Sequence, residues 1–228
     1  MRNTKSLLRI GVMLESVQLL DIAGIDIFGN LGKDYLTSVQ SMMPQAAQYL
    51  DIAPKIEWHY VSSTMEPMTL TPSTKIIPTE TYDDCPRDLD IVLTGGPLVS
   101  VRPEAADRYM KEAWETTRVW MTTCVGAMWL ADSGVLDGHN ATTNRGVLPA
   151  AKKLHPKVNW LDQRWVIDEK PYAGEGKGEL WTGGGAGAGL DMIGTYVLNN
   201  FNQSFVNSMS LLPLQMGPDI EKGQFYTN

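Results

Sequence analysis

An α/β fold with a mostly parallel central sheet and helices on both faces is predicted by three observations. Short apolar runs without polar alternation recur at "LLRIGVML" (residues 7–14), "LDIVLTGG" (89–96) and "VWMTT" (119–123); such runs mark strands buried on both faces. Helical stretches separate them, as βαβ connections require. The hydrophobic fraction, 43% of 228 residues, is that of an ordinary packed core. Nothing marks a linker or an internal repeat, so one domain over 1–228 is expected.

The elements follow in order. After the first strand, "ESVQLLDIAGIDIFGNLG" turns into an apolar segment predicted helical. "IEWHYVSS" (56–63) alternates and reads as a second strand. The Thr- and Pro-rich "TMEPMTLTPSTKIIPTETYDD" can hold only short strands and loops. "RPEAADRYMKEAWETTR" (102–118) reads as a helix with Pro103 near its first turn. The helix in "VGAMWLADSGVL" should stop near Gly134. The glycine-rich "YAGEGKGELWTGGGAGAGLDMIGTYVLNNF" reads as a hairpin-like loop, a short strand at "ELWTG" and a helix from about Ala188. The tail from about Ser208 has no assignable period.

Composition excludes several roles. The formal net charge is −7 and no Lys/Arg run exists, which argues against a nucleic-acid partner. No apolar run reaches the roughly 20 residues of a membrane span, and the N-terminal apolar segment is too short for a secretory signal. Two cysteines, Cys85 and Cys124, are too few for a disulfide framework, so a reduced, cytoplasmic protein is expected. His59, His139 and His155 show no metal-ligand spacing and no Cys-x-x-Cys occurs, so neither a metal nor a zinc site is expected. The GxGxxG-like spacings in "GEGKGELWTGGGAGAG" do not follow the first strand of a βαβ unit, so no dinucleotide cofactor is expected either.

The chemistry turns on "VWMTTCVGAMWL" (119–130), where an apolar run stops at Thr122-Thr123-Cys124 and restarts with a different rhythm. Cys124 is either a buried core cysteine or a reactive one on a sharp strand-to-helix turn. Such a turn stores roughly 1–3 kcal/mol of strain, and Gly126 and Ala127 leave room for it. A helix N-terminus aimed at the sulfur favours thiolate. Both Gly95-Gly96 and Cys124 fall at predicted carboxyl ends of strands, where parallel sheets bind ligands. Asp21 admits two compatible readings, a helix cap or a site carboxylate. Cys85, in a loop before a strand, reads as a bystander, and His139 and His155 as non-catalytic.

Read together, "LLDIAG", "VLTGG", "TTCVGAMWLADSGVLDGHNATTNRG" and "WTGGGAGAGLDM" resemble, in order and spacing, the DJ-1/PfpI (ThiJ) superfamily over about residues 7–200. Within it the chain is most similar to the isocyanide-hydratase-like branch and to fungal ThiJ/PfpI-like proteins carrying "ATTN" in place of "ATTH". The resemblance implies a flavodoxin-like three-layer sandwich with a cysteine nucleophile elbow, a homodimer, a small-molecule substrate and no cofactor. Position by position, Cys124 matches the nucleophile and Asp21 the acidic residue that contacts it. Gly96 and the Val125 backbone match the oxyanion-binding region. Two departures stand out. Asn144, a candidate substrate-binding residue, replaces the histidine of many members, and an amide is no general base. Val125 stands where isocyanide hydratases usually have threonine. Some superfamily members are fused to DNA-binding domains, but this chain has neither the room nor the positive charge for one.

A thiolate and a carboxylate about 4 Å apart repel by roughly 4 kcal/mol at an effective dielectric of about 20, near three pKa units. One shared proton is then the resting state. Sulfur attacks an electrophilic carbon, the acid delivers its proton, and the carboxylate then activates water. The sequence therefore points to a cofactor-independent hydratase or lyase using Cys124 and Asp21. The alternatives are a glyoxalase-type activity on 2-oxoaldehydes and a non-catalytic redox-sensing protein of the same fold.

Overall fold

The computed structural model describes residues 6–97, 102–217 and 224–226. Its main sheet has seven strands, in the spatial order β10-β11-β7-β6-β1-β2-β5. These are β1 (Leu7–Met13), β2 (Lys55–Ser62), β5 (Glu80–Thr81), β6 (Ile91–Thr94), β7 (Val119–Thr122), β10 (Trp165–Lys170) and β11 (Gly178–Gly183). Short pairs lie outside it: β3 (Met68–Thr69) with β4 (Lys75–Ile76), and β8 (Asn140–Ala141) with β9 (Asn159–Trp160). All pairings in the main sheet are parallel except β10 with β11. The order β2-β1-β6-β7-β11 is the flavodoxin-like 2-1-3-4-5, whose topological switch lies between β1 and β6.

Alternation along the strands builds two cores. Ile91, Leu93, Val119 and Met121 face one side, where α1 (Leu19–Ile22), α2 (Ile25–Gly29), α3 (Lys33–Val39) and α7 (Ala186–Asn200) cover them. Val92 and Trp120 face the other, under α4 (Glu104–Ala113) and α5 (Gly126–Ser133). The remaining helices, α6 (Leu148–Leu154) and α8 (Gln203–Val206), flank these layers. Gly134 ends α5 at φ 88°, a conformation that favours glycine.

Three segments differ from their sequence reading. The N-terminal apolar segment is helical as read but is divided into α1 and α2, and Gly24 between them lies close on α7; a Cβ there would lie 2.2 Å from Ile193 Cδ1. The helix predicted over 102–118 stops at Ala113, where Thr116 and Thr117 turn their hydroxyls to the Arg87 carbonyl at 2.6 and 3.1 Å. β10 was not foreseen: an antiparallel edge strand with exposed charges lacks the apolar signature of the central ones.

Candidate active site

Cys124 occupies the connection between β7 and α5 with φ 53°, a left-handed conformation rare for a side chain with a Cβ. Hydrogen bonds hold it there. Its carbonyl accepts from Asn144 N at 3.2 Å and from Thr143 Oγ1 at 3.0 Å. Thr123 N donates to Thr94 O at 3.1 Å, and Thr123 Oγ1 donates to the Asp21 carbonyl at 2.8 Å. Gly126 lets α5 start against the end of β6, since a Cβ would lie 2.3 Å from Thr94 O. Neighbouring strands, the "ATT" segment and the short helix bearing Asp21 thus jointly fix one strained residue.

Asp21, 1% exposed, sits in α1. Its Oδ2 accepts from Gly96 N at 3.2 Å, while its buried Oδ1 has no hydrogen-bond partner of good geometry. Thr123 and the Cys124 thiol also adjoin this carboxyl, and carboxyl and thiol perturb each other's titration. Asn144 Nδ2 donates to Cys124 Sγ at 3.4 Å, with its Oδ1 anchored by Gly146 N at 3.0 Å. The anchored oxygen fixes the amide so that its NH2 faces the sulfur.

The electrostatics run against part of the sequence reading. Burial pushes the Asp21 carboxyl up; the Gly96 amide, Thr123 and the thiol oppose this more weakly. Burial and the Asp21 carboxylate push the Cys124 thiol up, outweighing the Asn144 and Val125 donors. The helix N-terminus therefore does not yield a resting thiolate: loss of hydration and a facing carboxylate dominate. Both shifts favour the protonated form of each group over the thiolate–carboxylate pair.

The structure brings together Cys124, Gly96, Val125 and Asn144, at the carboxyl ends of β6 and β7 or in loops beside them, with Asp21 from α1. Gly96 N–H is engaged with Asp21, which leaves the Val125 amide as the backbone donor at the sulfur. The histidines have other partners: His59 with Glu80, His139 with Asp168 and His155 with Asp132. Cys85 is buried and bonded to Tyr109 Oη at 3.4 Å; both cysteines are free. Thr123 and Thr143, which brace Cys124, were not singled out in sequence; the hydroxyls flanking the cysteine and in "ATT" were the available signal. Glu15, a second buried acid, is turned toward Ser63 N at 2.5 Å. Among the described residues, no helix is long and apolar enough to cross a membrane.

The DJ-1/PfpI family model matches residues 36–182, a stretch that contains Gly96, Cys124 and Asn144. The chain is similar to an isonitrile hydratase from Pseudomonas putida, at 29% identity over 144 residues. That match spans 60% of this chain and 57% of the relative's length. Among solved structures, a ThiJ/PfpI family protein from Pseudomonas syringae superposes with a TM-score of 0.69 at 20% identity, covering 93% of this chain and 76% of the other. Schizosaccharomyces pombe DJ-1 superposes at 0.63 with 15% identity, over 92% and 100%. An AraC family transcriptional regulator from Pseudomonas putida gives 0.68 at 12%, over 90% and 99%. With the family model matched over well more than half of its length and this sheet order beneath it, the chain belongs to the DJ-1/PfpI family.

Proposed function

We propose that the protein is a cofactor-independent hydratase of the isonitrile-hydratase type, with Cys124 as nucleophile on an elbow and Asp21 as its acid and base. The observation that carries this reading is the buried Asp21 carboxyl beside the thiol, one oxygen fixed by Gly96 N–H and the other without a hydrogen bond. Burial pushes this carboxyl up, which favours its protonated form and suits it to donate a proton.

With an isonitrile, R–N≡C, the terminal carbon receives both groups. Sulfur forms the S–C bond and a proton passes to the same carbon, giving the thioimidate R–N=CH–S. The pair supplies that one proton: sulfur attacks as thiolate, Asp21 carries the proton to carbon, and Asp21 is left as carboxylate. Asp21 carboxylate then takes a proton from water as the oxygen adds to carbon and passes it to nitrogen, giving R–NH–CH(OH)–S. Collapse breaks the C–S bond as the hydroxyl proton passes by way of Asp21 to the departing sulfur, which releases the formamide R–NH–CHO with the thiol and the Asp21 carboxylate restored. Asn144 Nδ2 and the Val125 amide stabilise charge on sulfur as it attacks and leaves.

A glyoxalase-type reading is weaker, because Asn144 cannot serve as the base that shuttles a carbon-bound proton. The test is turnover with alkyl isonitriles and, separately, methylglyoxal. Formamide production that is lost in Cys124→Ser supports the hydratase. Consumption of methylglyoxal alone moves the assignment to the second reading, and no turnover of either favours a non-catalytic role.

A further inference from the structure

We propose that His59, Glu80 and Cys85 form a binding site for one zinc-class transition-metal ion at the edge of the main sheet, separate from Cys124. An imidazole nitrogen, a Glu80 carboxylate oxygen and Cys85 Sγ lie within 4.8 Å of one another. Three parts of the fold supply them. His59 is on β2, and Glu80 opens β5, where it pairs in register with Val61 two residues along. Cys85 is returned to them by a turn closed by its own N–H on Thr81 O at 3.0 Å. His59 and Cys85 are buried at 4% and 1% exposure, and the Glu80 side chain at 24% gives an ion its way in.

The donor set is the mixed N, O and S set that zinc takes. Ligand bonds of about 2.0–2.3 Å place tetrahedral donors about 3.3–3.7 Å apart. His59 Nδ1 and Glu80 Oε1 are now 2.6 Å apart, so an ion opens that contact by roughly 0.7 Å. The proton in it has a place to go. His59 Nε2 is buried without a hydrogen bond of good geometry, and Glu57 Oε1 lies 3.1 Å from it. When the metal takes Nδ1, the ring proton shifts to Nε2 and faces Glu57, the carboxylate–histidine–metal arrangement that orients and strengthens such ligands. Tyr109 Oη, 3.4 Å from Sγ, is placed to donate to the thiolate. The balance closes at one proton: His59 stays neutral, Cys85 loses its thiol proton to solvent, and the two anions of Cys85 and Glu80 neutralise a divalent ion. A charge-neutral set is what a buried site requires. A water entering beside Glu80 completes four-coordination. Such an ion would pin β5 to β2, which share only the register pairs Val61–Glu80 and Ser62–Thr81.

The experiment titrates metal-free full-length protein with cobalt(II) chloride, then zinc chloride. Wild type and Cys124→Ser should each bind one equivalent of cobalt, with a thiolate-to-cobalt charge-transfer band that zinc abolishes, and should melt at higher temperature with zinc. Affinity should rise about tenfold per pH unit, reporting the single proton released. Cys85→Ser should lose the band. Glu80→Gln, similar in shape and partly exposed, should keep its circular dichroism spectrum and bind at least about tenfold more weakly; it carries the test if Cys85→Ser does not fold. No band in wild type, a band that survives in Cys85→Ser, undiminished affinity in Glu80→Gln, or a band lost in Cys124→Ser would each overturn the proposal.

Discussion

Gly96 and Asp21 are fitted to each other so closely that position 96 admits no side chain. The Gly96 N–H donates to Asp21 Oδ2 at 3.2 Å, and a Cβ on residue 96 would lie 2.3 Å from that oxygen and 3.0 Å from Cys124 Cβ. The glycine is thus a distance setter between acid and thiol. Gly96→Ala should displace the Asp21 carboxylate and weaken a hydrogen bond to a group that becomes charged, an interaction of about 1.5–3 kcal/mol. Turnover should fall roughly 10–100-fold with the circular dichroism spectrum unchanged. Steady-state kinetics on the substrate found by the turnover screen checks this, and an unaltered rate would show that Asp21 need not sit where Gly96 holds it.

Much of this arrangement was legible in the chain. Buried parallel strands announce themselves as apolar runs, so β1, β6 and β7 were placed within a few residues, and Gly96 and Cys124 with them at the strand ends. Asp21 and Asn144 entered through motif resemblance, because nothing in their local sequence reveals a tertiary partner about 100 and 20 residues away. The sequence offers two opposed pulls on Cys124, a helix N-terminus and a facing Asp21 carboxylate; burial, which exists only in three dimensions, adds to the second, and the thiol is pushed up. His59, Glu80 and Cys85 were read apart for the same reason: strand pairing and one turn bring them together, and no spacing records it.

The two cysteines should differ sharply toward alkylating agents. Cys85 is 1% exposed and burial pushes its thiol up to about 11, which leaves roughly one molecule in ten thousand as thiolate at pH 7. Cys124 is only half-buried and has two donors at its sulfur. Brief treatment of the native protein with iodoacetamide, followed by peptide mass spectrometry, should label Cys124 at least about tenfold faster. Equal labelling, or preference for Cys85, would return Cys124 to the role of a packing residue.

Asn144 should act on the sulfur and not as a base. Its Nδ2 donates to Sγ at 3.4 Å and draws the thiol downward. Asn144→Ala removes that donor, so the thiol should move further up and alkylation at fixed pH should slow by roughly tenfold, the worth of one hydrogen bond to a charged group. A pH series of labelling rates separates this from a change in access, because only the former displaces the profile along the pH axis.

The assembly expected from the family resemblance is a homodimer. Leu19 and Leu20, beside Asp21 on α1, are 40% and 50% exposed, an apolar pair at the rim of the site that a second copy could cover. Light scattering at micromolar concentration should give twice the 25.2 kDa chain mass. Leu20→Lys should shift the protein toward the monomer. A monomeric wild type would end this expectation.

Asp21→Asn separates a structural from a chemical role by moving three quantities at once. The amide oxygen can keep the Gly96 N–H while its NH2 faces the sulfur, so the fold should persist. The Asp21 carboxyl is held above its ordinary value by burial, so the folded state binds more protons there than the unfolded chain does. Stability from this group therefore falls as pH rises from the unfolded value through the folded one, and the full penalty is present only above the folded value. The variant's melting temperature relative to wild type should rise with pH above the unfolded carboxyl value, by about 2–4 °C for each kcal/mol recovered, and the advantage should vanish as pH falls below that value. The thiol should move down, since the carboxylate that pushed it up has gone. Turnover should nevertheless fall by roughly 10²–10⁴-fold, the range for losing a general acid and base. A more readily ionised sulfur by itself predicts a faster enzyme, so the opposite movement of thiol and rate is the diagnostic. Thermal melts, a thiolate absorbance titration and kinetics on the same two preparations measure all three. Unchanged turnover together with an unchanged thiol would remove Asp21 from the chemistry and leave it as a buried brace for the Gly96 loop.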